Sequence, residues 1–121
     1  MSERYMPTHE WARLDGALVA IGLSAFAAGE VGEVIHIALP KPGQKLTRGQ
    51  ACAEIESVKS VNDYYSPVDG EVAEVNQQLV ANPELLNQDA ANAWFAKVKP
   101  SAKDPLAGLL TKDEYAAKTA K

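Results

Sequence analysis

Residues 54–65 read Glu-Ile-Glu-Ser-Val-Lys-Ser-Val-Asn-Asp-Tyr-Tyr: a strand running in, a tip at Lys59, and a second strand running out. Just upstream, Ala53 and Ile55 alternate with Glu54 and Glu56, the period of a half-buried strand with one wet face. The same period recurs where Val19 and Ile21 face opposite to Leu18 and Ala20. It recurs again where Ile35, Ile37 and Leu39 alternate with Val34, His36 and Ala38, and where Trp94, Ala96 and Val98 alternate with Lys97 and Lys99. The core of this chain is therefore expected to be mostly β.

Turn chemistry separates these strands. In Lys41-Pro42-Gly43-Gln44 the proline presets φ at the first central position and Gly43 supplies the positive φ of a type II turn. Ser66-Pro67-Val68-Asp69-Gly70 is a second break. Strands punctuated this often predict a sandwich or small barrel, because a parallel α/β sheet needs long helical crossovers. Only two segments read as helical: a short turn over Ser24 to Ala28, and a C-terminal helix over roughly residues 111–118. The latter opens with the capping-box pattern Thr111-Lys112-Asp113-Glu114 and is expected to pack Leu109, Leu110 and Tyr115 against the barrel. A short internal echo, Gly32-Glu33-Val34 against Gly70-Glu71-Val72, implies two similar sheet halves. The second copy breaks alternation at Val72 and Val75, which predicts a bulge or an edge.

Composition bounds the function classes. The 121 residues, 46% of them hydrophobic, suffice for one domain with a real core, expected to span residues 1–121. The lone Cys52 allows no internal disulfide, and no Cys/His spacing fits a zinc site. Residues 1–16 hold Glu3, Arg4, His9, Glu10, Arg13 and Asp15 with no apolar run, so neither a signal peptide nor a bilayer span is expected. A start at Met1 without a presequence leads to the expectation of a bacterial cytoplasm, or of the mitochondrial matrix for a processed eukaryotic form. A net charge of -4 disfavours nucleic acid and anionic membranes as partners, and the one basic cluster, Lys41, Lys45 and Arg48, is diluted by turn residues. The expectation is a monomer.

The chemistry concentrates at Lys59. A hairpin tip exposes a side chain on a stiff base, as a modifying enzyme requires. Amines of exposed lysines are protonated near neutral pH and are poor nucleophiles, so catalysis by Lys59 itself is not expected; acylated by a cofactor, it becomes a long neutral tether. An exposed turn lysine is ordinarily only a solubilising charge, and it is the surrounding string that decides otherwise.

That string is Glu56-Ser57-Val58-Lys59, followed by Asp63 and Ser66-Pro67-Val68-Asp69-Gly70-Glu71-Val72. With His9-Glu10-Trp11, Gly32-Glu33-Val34, Leu39-Pro40, Gly43, Asn76, Asn82-Pro83-Glu84-Leu85 and Trp94 with Lys97-Val98-Lys99-Pro100, it resembles the H proteins of the glycine cleavage system over almost the whole chain. One departure is visible: where the family has a glycine-containing turn before the tryptophan, this chain has Ala90-Ala91-Asn92-Ala93.

The resemblance implies a mainly β barrel-sandwich hybrid of two antiparallel sheets, of the lipoyl/biotinyl-carrier type, with a pseudo-twofold, a short internal helix and a C-terminal helix. It implies a non-catalytic carrier with lipoic acid in amide linkage on Lys59, attached by a lipoate-attaching enzyme. It implies three further partners. A pyridoxal-phosphate glycine decarboxylase loads an aminomethyl group, a folate-dependent aminomethyltransferase unloads it, and a flavin-dependent dihydrolipoamide dehydrogenase reoxidises the arm. The tether supplies effective concentration. By the same resemblance the loaded arm folds into a surface cleft, where a carboxylate would favour its ammonium; Glu10 and Asp63 are the candidates.

Several rivals stand beside this reading. Biotin carriers flank their lysine with methionines, whereas Val58 and Ser60 stand here, and lipoyl domains of 2-oxo acid dehydrogenases typically have Asp before the lysine and an Ala/Pro linker. An H-like protein that relays lipoate to other proteins is left open. So is a thiol hydrolase built on Cys52 with a histidine, although Cys52 between Ala51 and Ala53 reads better as a small buried hydrophobe. Trp11 and Trp94 read as core or rim, His9 as part of an entry turn and His36 as a strand residue.

Overall fold

The computed structural model describes residues 3–101 and 103–119; residues 1, 2, 102, 120 and 121 of the expected 1–121 domain lie outside them. Strands β1 (Glu3–Tyr5), β2 (Glu10–Asp15) and β3 (Leu18–Leu23) form an antiparallel meander. Helix α1 (Ala25–Val31) follows, then β4 (Val34–Ala38), β5 (Lys45–Leu46), β6 (Ala51–Ser57), β7 (Val61–Tyr65) and β8 (Gly70–Val75). After two short helices, α2 (Gln77–Ala81) and α3 (Leu85–Gln88), come β9 (Ala96–Pro100), β10 (Leu110–Thr111) and helix α4 (Lys112–Thr119). The strands make two antiparallel sheets, one of seven in the order β10-β1-β2-β3-β9-β8-β5 and one of three in the order β4-β6-β7. This is the mainly β, two-sheet architecture expected.

The inner faces meet over Ile21, Leu23, Ile37, Ile55, Val68, Val72, Leu79, Leu86, Phe95 and Val98, all essentially inaccessible to water. Burial of such side chains contributes about 1.5–3 kcal/mol each, and it fixes the register, since a one-residue slip would send each set outward. A second cluster of Tyr5, Trp11, Ala20 and Tyr115 lies under α4, with the Tyr5 and Tyr115 rings stacked at 4.4 Å. Trp11 lies flat on Gly22, its cross-strand neighbour, where an added Cβ would stand 2.6 Å from the indole.

Local signals held where the chemistry is local. The Lys41–Gln44 turn closes with Gln44 N–H donating to the Lys41 carbonyl at 3.0 Å, and Gly43 takes φ 87°. Ser24 caps α1, its hydroxyl accepting from the Ala27 amide. The C-terminal capping box forms as expected: Thr111 N–H donates to Glu114 Oε1 at 2.8 Å, and Glu114 N–H to Thr111 Oγ1 at 3.1 Å. The repeated tripeptide is real in structure, because each copy enters a strand with a register shift at the same point, between Val34 and His36 in β4 and between Val72 and Glu74 in β8.

Other expectations need correction. Helices are not confined to two segments, since α2 and α3 also form; each is about one turn, anchored by a single buried leucine, Leu79 or Leu86. Alternation over residues 34–39 fails at Ile35, which the bulge turns out to 48% exposure while Val34 and Ile37 face inward. Phe95 rather than Trp94 fills the core before β9, and Trp94 stays on the rim with the Lys97 ammonium over its ring. The Ala90–Ala93 segment needs no glycine, because His9 is the one non-glycine residue at positive φ among the described residues. The turn is held instead by Asn92 Nδ2 donating to Asp89 Oδ2 at 2.8 Å.

Candidate functional site

Lys59 stands at the turn between β6 and β7, and its side chain is exposed. The turn is stiff because Ser57 is buried and serves it twice. Its amide donates to the Ser60 carbonyl at 2.8 Å, and its Oγ accepts from the amides of Lys59 at 3.3 Å and Ser60 at 3.2 Å. The tip is also tied to the body, since the Val58 amide donates to the Glu33 carbonyl at 3.0 Å. The aliphatic stem of Lys59 rests over Gly32, with Cε 3.3 Å from where a Cβ would stand. Val58 and Val61, both more than half exposed, flank the lysine. Among the described residues the Lys59 ammonium makes no hydrogen bond or ion pair. Such an amine is open to acylation, and its tether would begin on a fixed base.

The two carboxylates singled out in the sequence sit differently. Asp63 is exposed on β7, opposite Glu54 of β6. Glu10 is only 1% exposed. One of its oxygens accepts from the Tyr65 amide at 2.6 Å and the other from the Thr8 hydroxyl. Burial pushes its carboxyl up from the usual range, and these two donors oppose that shift. Glu10 therefore ties the β1–β2 turn to the end of β7, two residues beyond Asp63; no direct contact joins either carboxylate to Lys59.

His9 is indeed in the entry turn, at φ 87°. Its Nδ1 lies 2.6 Å from the Tyr115 hydroxyl, which is also 2.7 Å from Ser24 Oγ; burial lowers its affinity for a proton. Cys52 is half-buried, and burial with the nearby Glu10 charge pushes its thiol up to about 12. A protonated thiol with no histidine bonded to it is inert, which removes the thiol-hydrolase reading. No group of three or more His, Cys, Asp and Glu among the described residues could hold a metal, and none of the described helices is long and apolar enough to cross a membrane.

Sequence reading missed Ser57 as the inner brace of the tip and Thr8 as the partner of Glu10. It also missed Asn87, whose amide spans Gly32 and Val34. Ser57 had a local signal in its spacing from Ser60. Asn87 had none, because its partner Gly32 lies 55 residues away.

The family model described as Glycine cleavage H-protein matches residues 3–121. The chain belongs to the glycine cleavage H-protein family. It is 43% identical over 117 residues to the glycine cleavage system H protein of Bradyrhizobium diazoefficiens, covering 96% of each chain. Against the mitochondrial H protein of Pisum sativum it is 40% identical over 113 residues, covering 93% of this chain and 68% of the other. A crystal structure of a glycine cleavage system H protein from Mycobacterium marinum superposes with a TM-score of 0.87 at 32% identity, covering 96% of this chain and 94% of that one. Glycine cleavage H proteins are carriers, not catalysts, within a system of several components, and the family carries lipoate.

Proposed function

We propose that Lys59 is the lipoylated residue of this carrier, and that residues 1–121 act as one lipoyl-carrier domain. The supporting observation is the exposed amine on a braced hairpin, free of polar partners among the described residues and with only the hydrogen of Gly32 beneath its stem. When bound, lipoate would supply a disulfide able to accept and release a one-carbon amine unit. This chain's own contribution is placement. Ser57 holds the turn, Glu33 holds Val58, and the tether confines the reactive end to the neighbourhood of one surface, which raises its effective concentration for each partner.

Glu10 and Asp63 are assigned to a cationic cargo at the end of the arm. Both meet β7: Asp63 at its middle on the exposed face, and Glu10 at its far end through the Tyr65 amide. A carboxylate has about four acceptor sites, and the surface hydroxyl of Thr8 is the donor an ammonium would displace from Glu10. The partners in this reading are a glycine decarboxylase, an aminomethyltransferase, a dihydrolipoamide dehydrogenase and a lipoate-attaching enzyme. A cytoplasmic setting, as for a bacterial H protein, belongs to the same proposal.

Intact-mass measurement after incubation with a lipoate ligase, lipoate and ATP tests the assignment. One lipoyl group is expected on the unaltered chain and none on Lys59→Arg; equal modification of both would sink it.

A further inference from the structure

We infer that Asn87 is a positioning residue for the acylation of Lys59, acting through a relay of backbone contacts that sets the height and orientation of the hairpin tip. Resting on the Lys59 assignment, the inference extends it to how the amine is presented.

The relay begins in the core. Helix α3 is only Leu85–Gln88, too short to be stable alone, and it is anchored by Leu86, which is fully buried. The next residue, Asn87, turns its amide outward and across to the segment entering β4. Nδ2 donates to the Gly32 carbonyl at 2.7 Å, and Oδ1 accepts from the Val34 amide at 2.9 Å. A side-chain amide here does what a neighbouring strand's peptide group would do, holding an extended segment by both a donor and an acceptor.

Between those two contacts lies Glu33, whose carbonyl accepts from the Val58 amide at 3.0 Å. Gly32, held by Asn87 at φ 86°, presents its bare Cα to the Lys59 stem. The tip is rigid within itself through the Ser57 side chain, and at its base Ser57 pairs with Val34 of β4, the strand whose entry Asn87 holds. The Asn87 bracket supports, from the body of the protein, the segment that Val58 and Lys59 rest on.

Acylation forms a C–N bond between Lys59 Nζ and the lipoyl carbonyl carbon as the bond to adenylate breaks, and the ammonium gives up two protons. A ligase that grips the hairpin backbone must bind it in one shape. Loosening the bracket lowers the fraction of carrier in that shape and so weakens binding, which appears in KM rather than kcat.

The experiment compares the unaltered chain with Asn87→Ala, Asn87→Asp and the control Asn92→Ala, using a lipoate ligase with lipoate and ATP. Asn92 lies nearby and bonds only Asp89 among the described residues. Amide hydrogen exchange is read at Val58 and, as a core reference, at Phe95, which donates to the Ile21 carbonyl at 2.7 Å. Asn87→Ala is expected to raise KM about tenfold with kcat nearly unchanged, and to speed exchange at Val58 but not at Phe95. Asn87→Asp keeps the acceptor for Val34 but sets a carboxylate against the Gly32 carbonyl, so its KM is expected to rise as well. Kinetics matching Asn92→Ala, or equal loss of protection at Phe95, would overturn the inference and leave Asn87 as ordinary scaffold. Failure of the unaltered chain to gain lipoyl mass would instead overturn the assignment of Lys59.

Discussion

The tripeptide Gly-Glu-Val occurs twice, and its two copies use the same glycine for opposite ends. Gly70 opens β8 inside the seven-stranded sheet, where an added Cβ would stand 2.3 Å from the Lys99 carbonyl oxygen. Its missing side chain lets two backbones pair. Gly32 precedes β4 of the small sheet at φ 86°, and what approaches it is the flexible stem of Lys59 at 3.3 Å. Here the missing side chain leaves room for the lysine. The bulge that follows each copy turns the next residue outward, Ala73 in one case and Ile35 in the other, so only the first half presents a large apolar side chain at its bulge. One half of the repeat builds the scaffold, and the other presents the tether.

The strongest test of that contrast is Gly70→Ala. A Cβ against a backbone oxygen has nowhere to go, and a cost of about 3 kcal/mol is expected from overpacking, read from urea denaturation. The lipoylation rate per folded molecule should stay the same, and a stability within error of the unaltered chain would contradict the pairing role. Gly32→Ala should do the reverse. Its positive φ costs about 1–2 kcal/mol, less than at Gly70, while the shifted Lys59 stem slows ligation; an unchanged ligation rate would show that the close approach has no bearing on presentation.

Removing one hydroxyl should matter next. Tyr115→Phe deletes the oxygen shared by His9 and Ser24, which steadies the entry turn and the start of α1, several strands away from β8 in the large sheet. A thermal denaturation loss equivalent to about 1 kcal/mol is expected, with no effect on the Gly70 side of the molecule. Exchange rates rising equally in β8 and in the entry turn would remove the distinction.

Glu10 gives a pH signature. Burial raises its carboxyl above the ordinary 4.5, so the folded chain holds a proton that the unfolded chain has lost. Over that window the native state binds more protons, and stability due to Glu10 must fall as pH rises through it. Glu10→Gln cannot titrate, so its stability profile above the ordinary carboxylate range should lack this downward slope; parallel profiles would refute the assignment. The smallest effect is expected at Ile35→Ala, within about 0.5 kcal/mol for so exposed a side chain, against a much larger loss for Val72→Ala in the core.

Legibility followed the range of the forces. The strand carrying residues 53–56 was visible because one face is wet and the other dry, whereas that carrying residues 18–21 is dry on both faces and showed as a short apolar run. Strand β2 was hidden because Glu10, Trp11 and Ala12 are all buried in succession, which erases the period of two. The helices α2 and α3 were hidden because a single turn offers too few residues to show helical spacing. Trp94 was given the place of Phe95 because the alternation that correctly buries Ala96 and Val98 was extended back past the start of β9, where a period of two no longer holds.

The sequence by itself determined that a β hairpin would hold Lys59 at its tip, that Gly43 would turn the chain and that Thr111 and Glu114 would cap the last helix. Each of these rests on contacts within a few residues, whose geometry the backbone dictates. Tertiary structure alone decided that Glu10 would be buried against the Tyr65 amide, that Gly32 would lie beneath the Lys59 stem, and that Asn87 would brace residues 32–34. Those outcomes depend on which distant segments share a solid core, and close packing chooses among them only once the whole chain has condensed.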